Sequence, residues 1–259
     1  RFPFKKKLEN ILSINALACG NVFSAGENGM LWTDKLQAQD AFEEAERIHQ
    51  ILMTEHDTNK EVSLRVFKDF WPQTVPSANR LIEKGFFDFK IDVNMVLKIH
   101  EDWKTINDYL MSMKTKFRTR AKAVYRKSAP LTIKALNAQD IIEESEHIVR
   151  LFDSVLEKSD FHIGTMNPKT FAACKEHLGD DFIFMAYYMD EKMLGFSTAF
   201  RNANSLDANY VGLDYAYNAS YDVYQRILYD YVELALQTKS VELQFGRTSE
   251  TIKSAVGAV

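Results

Sequence analysis

Two hydrophobic periods alternate along this chain, and their alternation predicts its secondary structure. Apolar residues at every second position are typical of half-buried strands, and apolar residues three or four positions apart are typical of helices packed on a core. Residues 241–245 show the first period, because Val241, Leu243 and Phe245 alternate with polar residues. The pattern predicts strands over 11–18, 61–67, 131–136, 182–189, 193–200, 206–213 and 241–245, and two strands or one bent strand over 86–99. It predicts helices over 34–56, 77–84, 138–157, 168–178, 220–239 and from 248 onward, and over 103–127 either one long helix or a helix with a break.

The order of these elements predicts a mixed α/β fold. From residue 131 onward the order is β-α-α-β-β-β-α-β-α, and the preceding residues form a looser α/β series. Short turns at 190–191 and 202–205 join three successive strands, which predicts an antiparallel meander. Strands that alternate with helices elsewhere imply a sheet covered by helices. We therefore expect a mixed, largely antiparallel sheet flanked by helices.

The composition is that of a folded chain from a reducing compartment. With 46% hydrophobic residues in 259, it is neither disordered nor fibrous. Its 36 acidic and 32 basic residues give a net charge of −4, which argues against a general nucleic-acid coat but allows a local basic patch. Cys19 and Cys174 lie far apart and predict neither a disulfide framework nor a zinc site. Because the chain begins at Arg1 and ends in mid-pattern at Val259, we expect it to be a fragment.

Several short motifs from residue 103 onward occur in an order that is known from one superfamily. In that order this part of the sequence resembles the GNAT superfamily of acyl-CoA N-acyltransferases, and more closely its Fem-like branch, in which two GNAT-type halves pack together. The segments that carry the resemblance are 103–120, 194–196, 210–214, 224–229 and 245–257.

This resemblance implies an architecture and an activity. It implies an N-terminal GNAT-like half (1–102), a basic connecting helix (103–130) and a C-terminal GNAT-like acyltransferase half (131–259). The implied enzyme is an N-acyltransferase that moves an acyl group from acyl-CoA to a primary amine, such as that of a lipid or cell-envelope precursor. Acyl-CoA is then a co-substrate, and no cofactor is bound permanently. The implied setting is the bacterial cytoplasm, including the inner face of the membrane.

Two other functions stay open. Fem-type enzymes use aminoacyl-tRNA as the donor, and this alternative is less favoured than acyl-CoA. A binding module that keeps the fold without the chemistry, and recognises a cell-envelope glycan or lipid, is the alternative outside catalysis. All the catalytic versions require the sheet to open between two of its later strands, so that an amine can reach an activated acyl group.

The sequence departs from the common GNAT pattern at residues 215–220. The superfamily usually binds the CoA pyrophosphate with a glycine-rich, basic loop at this place, whereas Tyr215-Ala216-Tyr217-Asn218-Ala219-Ser220 has neither glycine nor cation. We expect backbone N–H groups near Asn218 and Ser220, at the start of the predicted helix 220–239, to bind a phosphate instead.

Residues 114–127 carry seven cations and no acid. On a helix Arg118 and Lys122 are spaced by four and share one face. This face is suited to the phosphates of CoA, to a tRNA or to an anionic lipid surface. It is equally suited to plain solvation, with the acidic residues 143–146 as partners.

Three residues are candidates for the chemistry of acyl transfer, which needs a base for the amine and an acid for the leaving group. Asp214 follows a strand and is suited to act as the base, to anchor the ammonium or to cap the next turn. His162 lies in a loop between two helices and is a second candidate base, although a structural role is equally open. Tyr224 is a candidate acid, although a tyrosine at helical spacing is more typical of a core.

Arg247 and Lys253 complete the candidate binding residues. Arg247 follows a strand at a predicted helix start, where it is placed to bind an anionic group or to brace the fold. Lys253 lies about two turns further along the same segment. The histidines and cysteines show no metal-binding spacing, so no metal site is predicted.

Overall fold

The computed structural model describes residues 15–21, 23–55, 62–90, 93–159 and 166–259. The chain divides between Ile91 and Asp92 into two units, each with an apolar core of its own. Within the described residues, no helix has the length and apolar character that a bilayer crossing requires.

The first unit is built on a two-stranded parallel sheet. Phe42, Ala78 and Leu81 form its buried core, against which Phe67 and Phe86 also pack. Residues 11–14 of the first predicted strand lie outside the described residues. The elements are β1 (Asn15–Cys19), α1 (Ala38–Glu55), β2 (Val62–Phe67), α2 (Val75–Ala78) and α3 (Arg80–Glu83), with β1 parallel to β2.

The second unit is a six-stranded mixed sheet flanked by helices, as the hydrophobic pattern predicts. The strand order is β3-β8-β7-β6-β5-β4, and all neighbours are antiparallel except β7 and β8. The predicted meander is confirmed as β5-β6-β7. The strands are β3 (Met95–Lys98), β4 (Thr132–Ala135), β5 (Phe182–Met189), β6 (Lys192–Asn202), β7 (Ser205–Leu213) and β8 (Glu242–Gly246). The helices are α4 (Ile106–Ser112), α5 (Thr115–Ser128), α6 (Ala138–Glu143), α7 (Ser145–Leu156), α8 (Pro168–Leu178), α9 (Tyr215–Tyr221), α10 (Val223–Gln237) and α11 (Glu250–Ser254).

Each face of this sheet buries its own set of side chains. On one face α4, α5 and α10 cover residues such as Tyr187 and Leu194. On the other face α6, α7 and α8 cover an aromatic cluster that includes Phe184 and Phe196. Successive strand residues point to opposite faces, so β5 and β6 contribute to both cores. Gly212 lies where a methyl group would overlap the Phe196 ring, which explains a glycine in the strand.

Four predicted helices are each divided in two. The breaks lie at Asn79 in 77–84, at Met113 in 103–127, at Glu144 in 138–157 and at Asp222 in 220–239. Met113 has extended backbone angles and separates α4 from α5, so residues 103–127 form the version of the prediction that has a break. Asp222 has a left-handed backbone (φ 48°) and separates α9 from α10, so the prediction that a helix starts at Ser220 is wrong. Of residues 86–99, predicted as two strands or one bent strand, only Met95–Lys98 form a strand among the described residues.

Candidate active site

The sheet of the second unit opens between β7 and β8. These parallel strands pair only at Ser205–Glu242, Leu206–Leu243 and Asp207–Gln244. Beyond these pairs β7 continues to Leu213 and β8 to Gly246 without further pairing to each other. We call this separation the β7–β8 opening, and it matches the prediction from sequence that the sheet opens between two of its later strands.

Side-chain exposure agrees with the strand pairing. Met193–Ala199 of β6 are buried throughout, whereas Asp207–Val211 of the neighbouring inner strand β7 are all partly exposed. Two surface cavities of about 430 and 530 Å³ lie elsewhere, one between α6 and α8 and one beside α4. The opening is therefore defined by strand separation and not by an enclosed cavity.

A β-bulge bends β7 at this opening. Ser197 pairs with Val211 and Ala199 with Ala208, so the single residue Thr198 faces both Asn209 and Tyr210. The Tyr210 N–H donates to the Thr198 hydroxyl at 2.9 Å. A bulge disrupts the ladder locally and increases the twist of the strand, and here it lies in the part of β7 that is no longer paired with β8.

Asp214 caps α9 immediately after β7. Its Oδ1 accepts from the Ala216 N–H at 3.1 Å, while Oδ2 lies 3.1 Å from Lys192 Nζ and 3.3 Å from Arg150 Nη1. Partial burial favours the neutral carboxyl, but the hydrogen bond from Lys192, with the Ala216 and Arg150 contacts, outweighs it and lowers the pKa of Asp214. The carboxylate is therefore ionised and already paired, which disfavours a role as general base.

Three cations from different elements surround the junction of β7 and α9. Arg150 belongs to α7, Lys158 follows that helix, and Lys192 opens β6. The ammonium groups of Lys158 and Lys192 lie 3.6 and 4.0 Å from the ring centroids of Tyr215 and Tyr217. We call Arg150, Lys158 and Lys192 the junction cluster. It supplies the positive charge that residues 215–220 lack, and no local motif in the sequence signals it.

Tyr224 lies in the first turn of α10. Its backbone N–H donates to Asn218 Oδ1 at 2.9 Å, so Asn218 holds the start of this helix. Burial raises the pKa of Tyr224, partly offset by a hydrogen bond with the Ser249 side chain. The phenol therefore keeps its proton at neutral pH. Ser220 is exposed in the last turn of α9.

The loop after β8 has an unusual backbone. Gly246, Thr248 and Ser249 all have positive φ angles (70°, 65° and 54°), which cost free energy for the two residues with side chains. Lys253 is buried, and its ammonium donates to the carbonyl oxygens of Gly246 (3.2 Å) and Arg247 (2.6 Å). Lys253 thus stabilises the loop from within and is not presented to a ligand. Arg247 is half-buried.

The basic helix α5 contains cations of two kinds. Arg118 donates to the carbonyl oxygens of Met111 (3.1 Å) and Met113 (3.4 Å) and so joins α4 to α5. Lys127 pairs with Asp222. The other five are exposed, and within the part of the chain that the structure describes none has an ion pair: Lys114, Lys116, Arg120, Lys122 and Arg126.

The acidic residues 143–146 do not neutralise this helix. Glu144 accepts a hydrogen bond from the Tyr188 hydroxyl at 3.0 Å and lies 2.7 Å from His147 Nδ1. No ion pair joins these acids to α5 among the described residues.

His162, the second candidate base, lies outside the described residues. Burial raises the pKa of the Cys174 thiol, which makes it a poor nucleophile. Across residues 15–21, 23–55, 62–90, 93–159 and 166–259, no three His, Cys, Asp or Glu side chains converge as a metal site would require.

Comparison with known proteins identifies the fold. No protein-family model and no curated protein matches the sequence. Among solved structures, FemX superposes with a TM-score of 0.59 at 11% identity, over 94% of this chain and 77% of FemX. A protein of unknown function from Bacteroides thetaiotaomicron gives 0.56 at 10% identity, over 82% of this chain and 71% of the other.

A third structure extends this likeness. It is the C-terminal domain of a protein from Agrobacterium fabrum named as a lysylphosphatidylglycerol synthetase. It superposes with a TM-score of 0.53 at 11% identity, over 80% of this chain and 62% of that domain. At such identities a superposition establishes the fold alone. The chain therefore has a Fem-like fold, as the resemblance of its sequence motifs predicts.

Proposed function

We propose that this protein is an N-acyltransferase that moves an acyl group from acyl-CoA to a primary amine, such as that of a lipid or cell-envelope precursor. The observation that carries the proposal is the β7–β8 opening, which runs along a bulged strand and ends beside the junction cluster. An extended thioester lying in the opening would place its acyl group by the bulge and its phosphates by the cations.

The junction cluster supports a phosphorylated donor. Arg150 and Lys192 are each about half exposed (47% and 48% of the side chain), so their charges are available to a ligand. Arg150 and Lys192 contact the Asp214 carboxylate, and Lys158 lies over the ring of the next residue, Tyr215. The excess positive charge of these groups favours an anion. In this arrangement Asp214 orders Arg150 and Lys192 and does not take the proton of the amine.

The chemistry is a direct displacement. The amine nitrogen forms a bond to the acyl carbon, the carbon–sulfur bond breaks, and the leaving thiolate takes a proton. Tyr224 is the candidate acid, because its phenol carries a proton at neutral pH that it can donate to the thiolate. His162 stays the candidate base for the ammonium proton. Positioning of the two substrates alone can supply up to about 7–11 kcal/mol of the rate enhancement.

The other candidates receive supporting roles in this proposal. Asn218 holds the start of α10 and thereby orients Tyr224. Lys253 stabilises the loop that carries Ser249, the partner of Tyr224. Arg247 directly follows β8, and Ser220 is exposed in the last turn of α9; in this proposal they contact the acceptor or the donor.

The proposal is tested by thiol release from a panel of acyl-CoAs of increasing chain length, with simple primary amines as acceptors. We expect amine-dependent CoA release and a mass increase of the amine equal to the acyl group. Lys192→Ala should raise the KM for acyl-CoA about tenfold, because one charge-assisted contact is lost. Lys169→Ala, an exposed lysine of α8, is the matched control. Thermal stabilisation by acyl-CoA without product would instead indicate a binding module.

The five unpaired cations of α5 favour a second candidate, an aminoacyl-tRNA-dependent transferase. A helix of single-sign charge without internal partners is suited to a polyanion. This alternative predicts RNA binding whose affinity falls steeply with salt, with a slope that decreases in Lys116→Ala and Lys122→Ala. Salt-independent or undetectable RNA binding would exclude it.

A further inference from the structure

Helix α9 carries three tyrosines, although none of its seven described residues is buried. Tyr215 and Tyr221 pack in part against the core that α4, α5 and α10 cover. Tyr217 belongs to none of the apolar cores of the described residues and is 36% exposed. Aromatic side chains usually stabilise a protein by burying their large apolar area. The place of Tyr217 at the surface is therefore not explained by packing.

The rings of Tyr217 and Tyr221 together form an aromatic surface. The two residues are spaced by four on α9 and so lie on one face of the helix. Their ring planes are inclined by only 13°, and the ring centroids lie 6.5 Å apart. We call this pair the tyrosine platform. Nearly parallel, partly exposed rings are suited to stacking with a flat ring of a ligand.

Contacts at both ends of α9 hold the platform in place. At the start, Asp214 Oδ1 accepts from the Ala216 N–H at 3.1 Å. At the end, Lys127 Nζ of α5 donates to the carbonyl oxygen of Ala219 at 3.4 Å and lies 3.2 Å from the Asp222 carboxylate. The platform is therefore formed before a ligand arrives, which lowers the entropic cost of binding.

The platform adjoins the junction cluster through one shared side chain. Lys192 Nζ lies 4.0 Å from the ring centroid of Tyr217 and 3.1 Å from Asp214 Oδ2. Lys158 Nζ lies 3.6 Å from the ring centroid of Tyr215, two residues before Tyr217. An anionic group that binds these lysines is therefore held next to a surface suited to stacking.

This combination selects one class of ligand. Nucleobases stack on aromatic side chains whatever their sequence, because every base has a π face. Phosphates form charge-assisted contacts with lysine and arginine. A nucleotide contains both groups, separated by one ribose. An acyl chain would leave the cations unused, and a simple phosphate would leave the platform unused.

The spacing along β7 distinguishes between two donors that contain a nucleotide. Tyr210 at the bulge precedes Asp214 by four residues, which span about 13 Å of extended chain. In aminoacyl-tRNA the acyl group is an ester of the terminal adenosine itself, so the base and the acyl group are close together. In acyl-CoA the pantetheine arm separates them. An acyl group at the bulge and a base on the platform therefore fit acyl-CoA.

We propose that the tyrosine platform binds the adenine ring of the donor while the adjoining lysines bind its phosphates. That the donor carries an acyl group for transfer rests on the proposed function, whereas binding of an adenine nucleotide does not. Tyr217 is then a specificity-determining residue, because it distinguishes a donor that contains adenosine from one that ends at the pantetheine phosphate.

Titration calorimetry with three probes tests the platform without acyl transfer. The probes are CoA, adenosine 3′,5′-bisphosphate and 4′-phosphopantetheine, which lacks the nucleoside. Tyr217→Leu should raise the Kd of both adenosine-containing probes about tenfold, because the stacking ring is lost, and should leave the Kd of 4′-phosphopantetheine within about twofold. Tyr217→Phe keeps the ring and should bind all three probes as the natural sequence does. Phe87→Leu, which removes an aromatic ring that is 92% exposed elsewhere, is the matched control.

A second measurement needs no variant. In the complex of the natural sequence with adenosine 3′,5′-bisphosphate, we expect nuclear Overhauser effects between the adenine protons and tyrosine ring protons. Their absence at saturation would overturn the proposal. So would equal affinities of Tyr217→Leu and the natural sequence for this probe, or an equal loss of affinity for 4′-phosphopantetheine.

These results are separate from those for acyl transfer. If Tyr217 has no effect on nucleotide binding but CoA release depends on an amine, the platform proposal fails and the transferase proposal stands. If nucleotide binding depends on Tyr217 but no CoA release follows addition of an amine, the platform proposal stands and the transferase proposal fails.

Discussion

Lys192 Nζ lies 3.1 Å from Asp214 Oδ2, at the point where β7 ends and α9 begins. The interaction lowers the pKa of Asp214 and raises that of Lys192, so both groups are charged over the physiological range. From the sequence, Asp214 is a candidate base because it directly follows a strand. Because its carboxylate is already paired with Lys192, Asp214 instead orders the cations that bind the donor in the proposed reaction.

Asp214→Asn separates these two roles. Asn keeps the cap on α9 but loses the charge. We expect turnover to be retained, whereas loss of a general base would lower kcat about 10²- to 10⁴-fold. Asp181→Asn, which breaks the exposed pair with Arg201, is the matched control.

The same substitution has a pH-dependent effect on stability. A carboxylate whose pKa is lowered by folding stabilises the protein above its unfolded pKa, and this contribution disappears as the pH falls through the folded value. Asp214→Asn should therefore cost about 0.5–1 kcal/mol at pH 7 and very little in strong acid. Denaturant unfolding at several pH values measures the difference.

Tyr224→Phe tests the candidate acid. Removal of the phenol should lower kcat by about 10²-fold and leave the KM for the donor unchanged. Tyr221→Phe, on the neighbouring helix α9, should retain full activity. An unchanged kcat in Tyr224→Phe would remove this residue from the chemistry.

Arg118→Ala and Lys122→Ala should have opposite consequences although both residues lie on one ridge of α5. Arg118 bonds two carbonyl oxygens at the end of α4, so its loss should cost about 1–2 kcal/mol of stability. Lys122 is exposed and unpaired, and its loss should leave the stability within about 0.5 kcal/mol. Equal thermal midpoints for the two variants would contradict this assignment.

Lys253 should make stability increase with pH under alkaline conditions. Burial lowers its pKa to about 8, from 10.5 when free. Between these values the unfolded chain binds more protons than the folded one, so the free energy of unfolding rises as the pH increases from about 8 to about 10.5, by up to about 3 kcal/mol. Lys253→Met should remove this slope, and Lys169→Met should keep it.

Gly212→Ala should destabilise the fold by about 1–3 kcal/mol, because the added methyl group overlaps the Phe196 ring. Phe196→Leu in the same chain should recover part of the loss, since it removes the ring. A double-mutant cycle in urea measures this coupling. If the changes in unfolding free energy of Gly212→Ala and Phe196→Leu simply add in the double mutant, the added methyl group does not contact the Phe196 ring.

More of the fold than of the candidate site could be predicted from the sequence. The periodicity of β5, β6 and β7 is regular, and their turns are short, so the meander is predictable. The positions of the helix breaks at Met113 and Asp222 could not be predicted, because the apolar spacing continues across them and neither residue is a usual helix breaker. The junction cluster is assembled by tertiary structure from α7, its following turn and β6, so no window of sequence contains it. The ionised state of Asp214 depends on the same assembly.

The separation of β7 from β8 also bears on pairing with strands of other molecules. Unpaired strand backbone usually attracts a strand of another molecule and so promotes aggregation. Here the unpaired stretch belongs to an inner strand, flanked by β6 on one side and still joined to β8 at residues 205–207. A strand of another molecule would have to insert between β7 and β8, which stay paired at one end. The molecule can thus offer backbone groups to a slender ligand while denying them to another copy of itself.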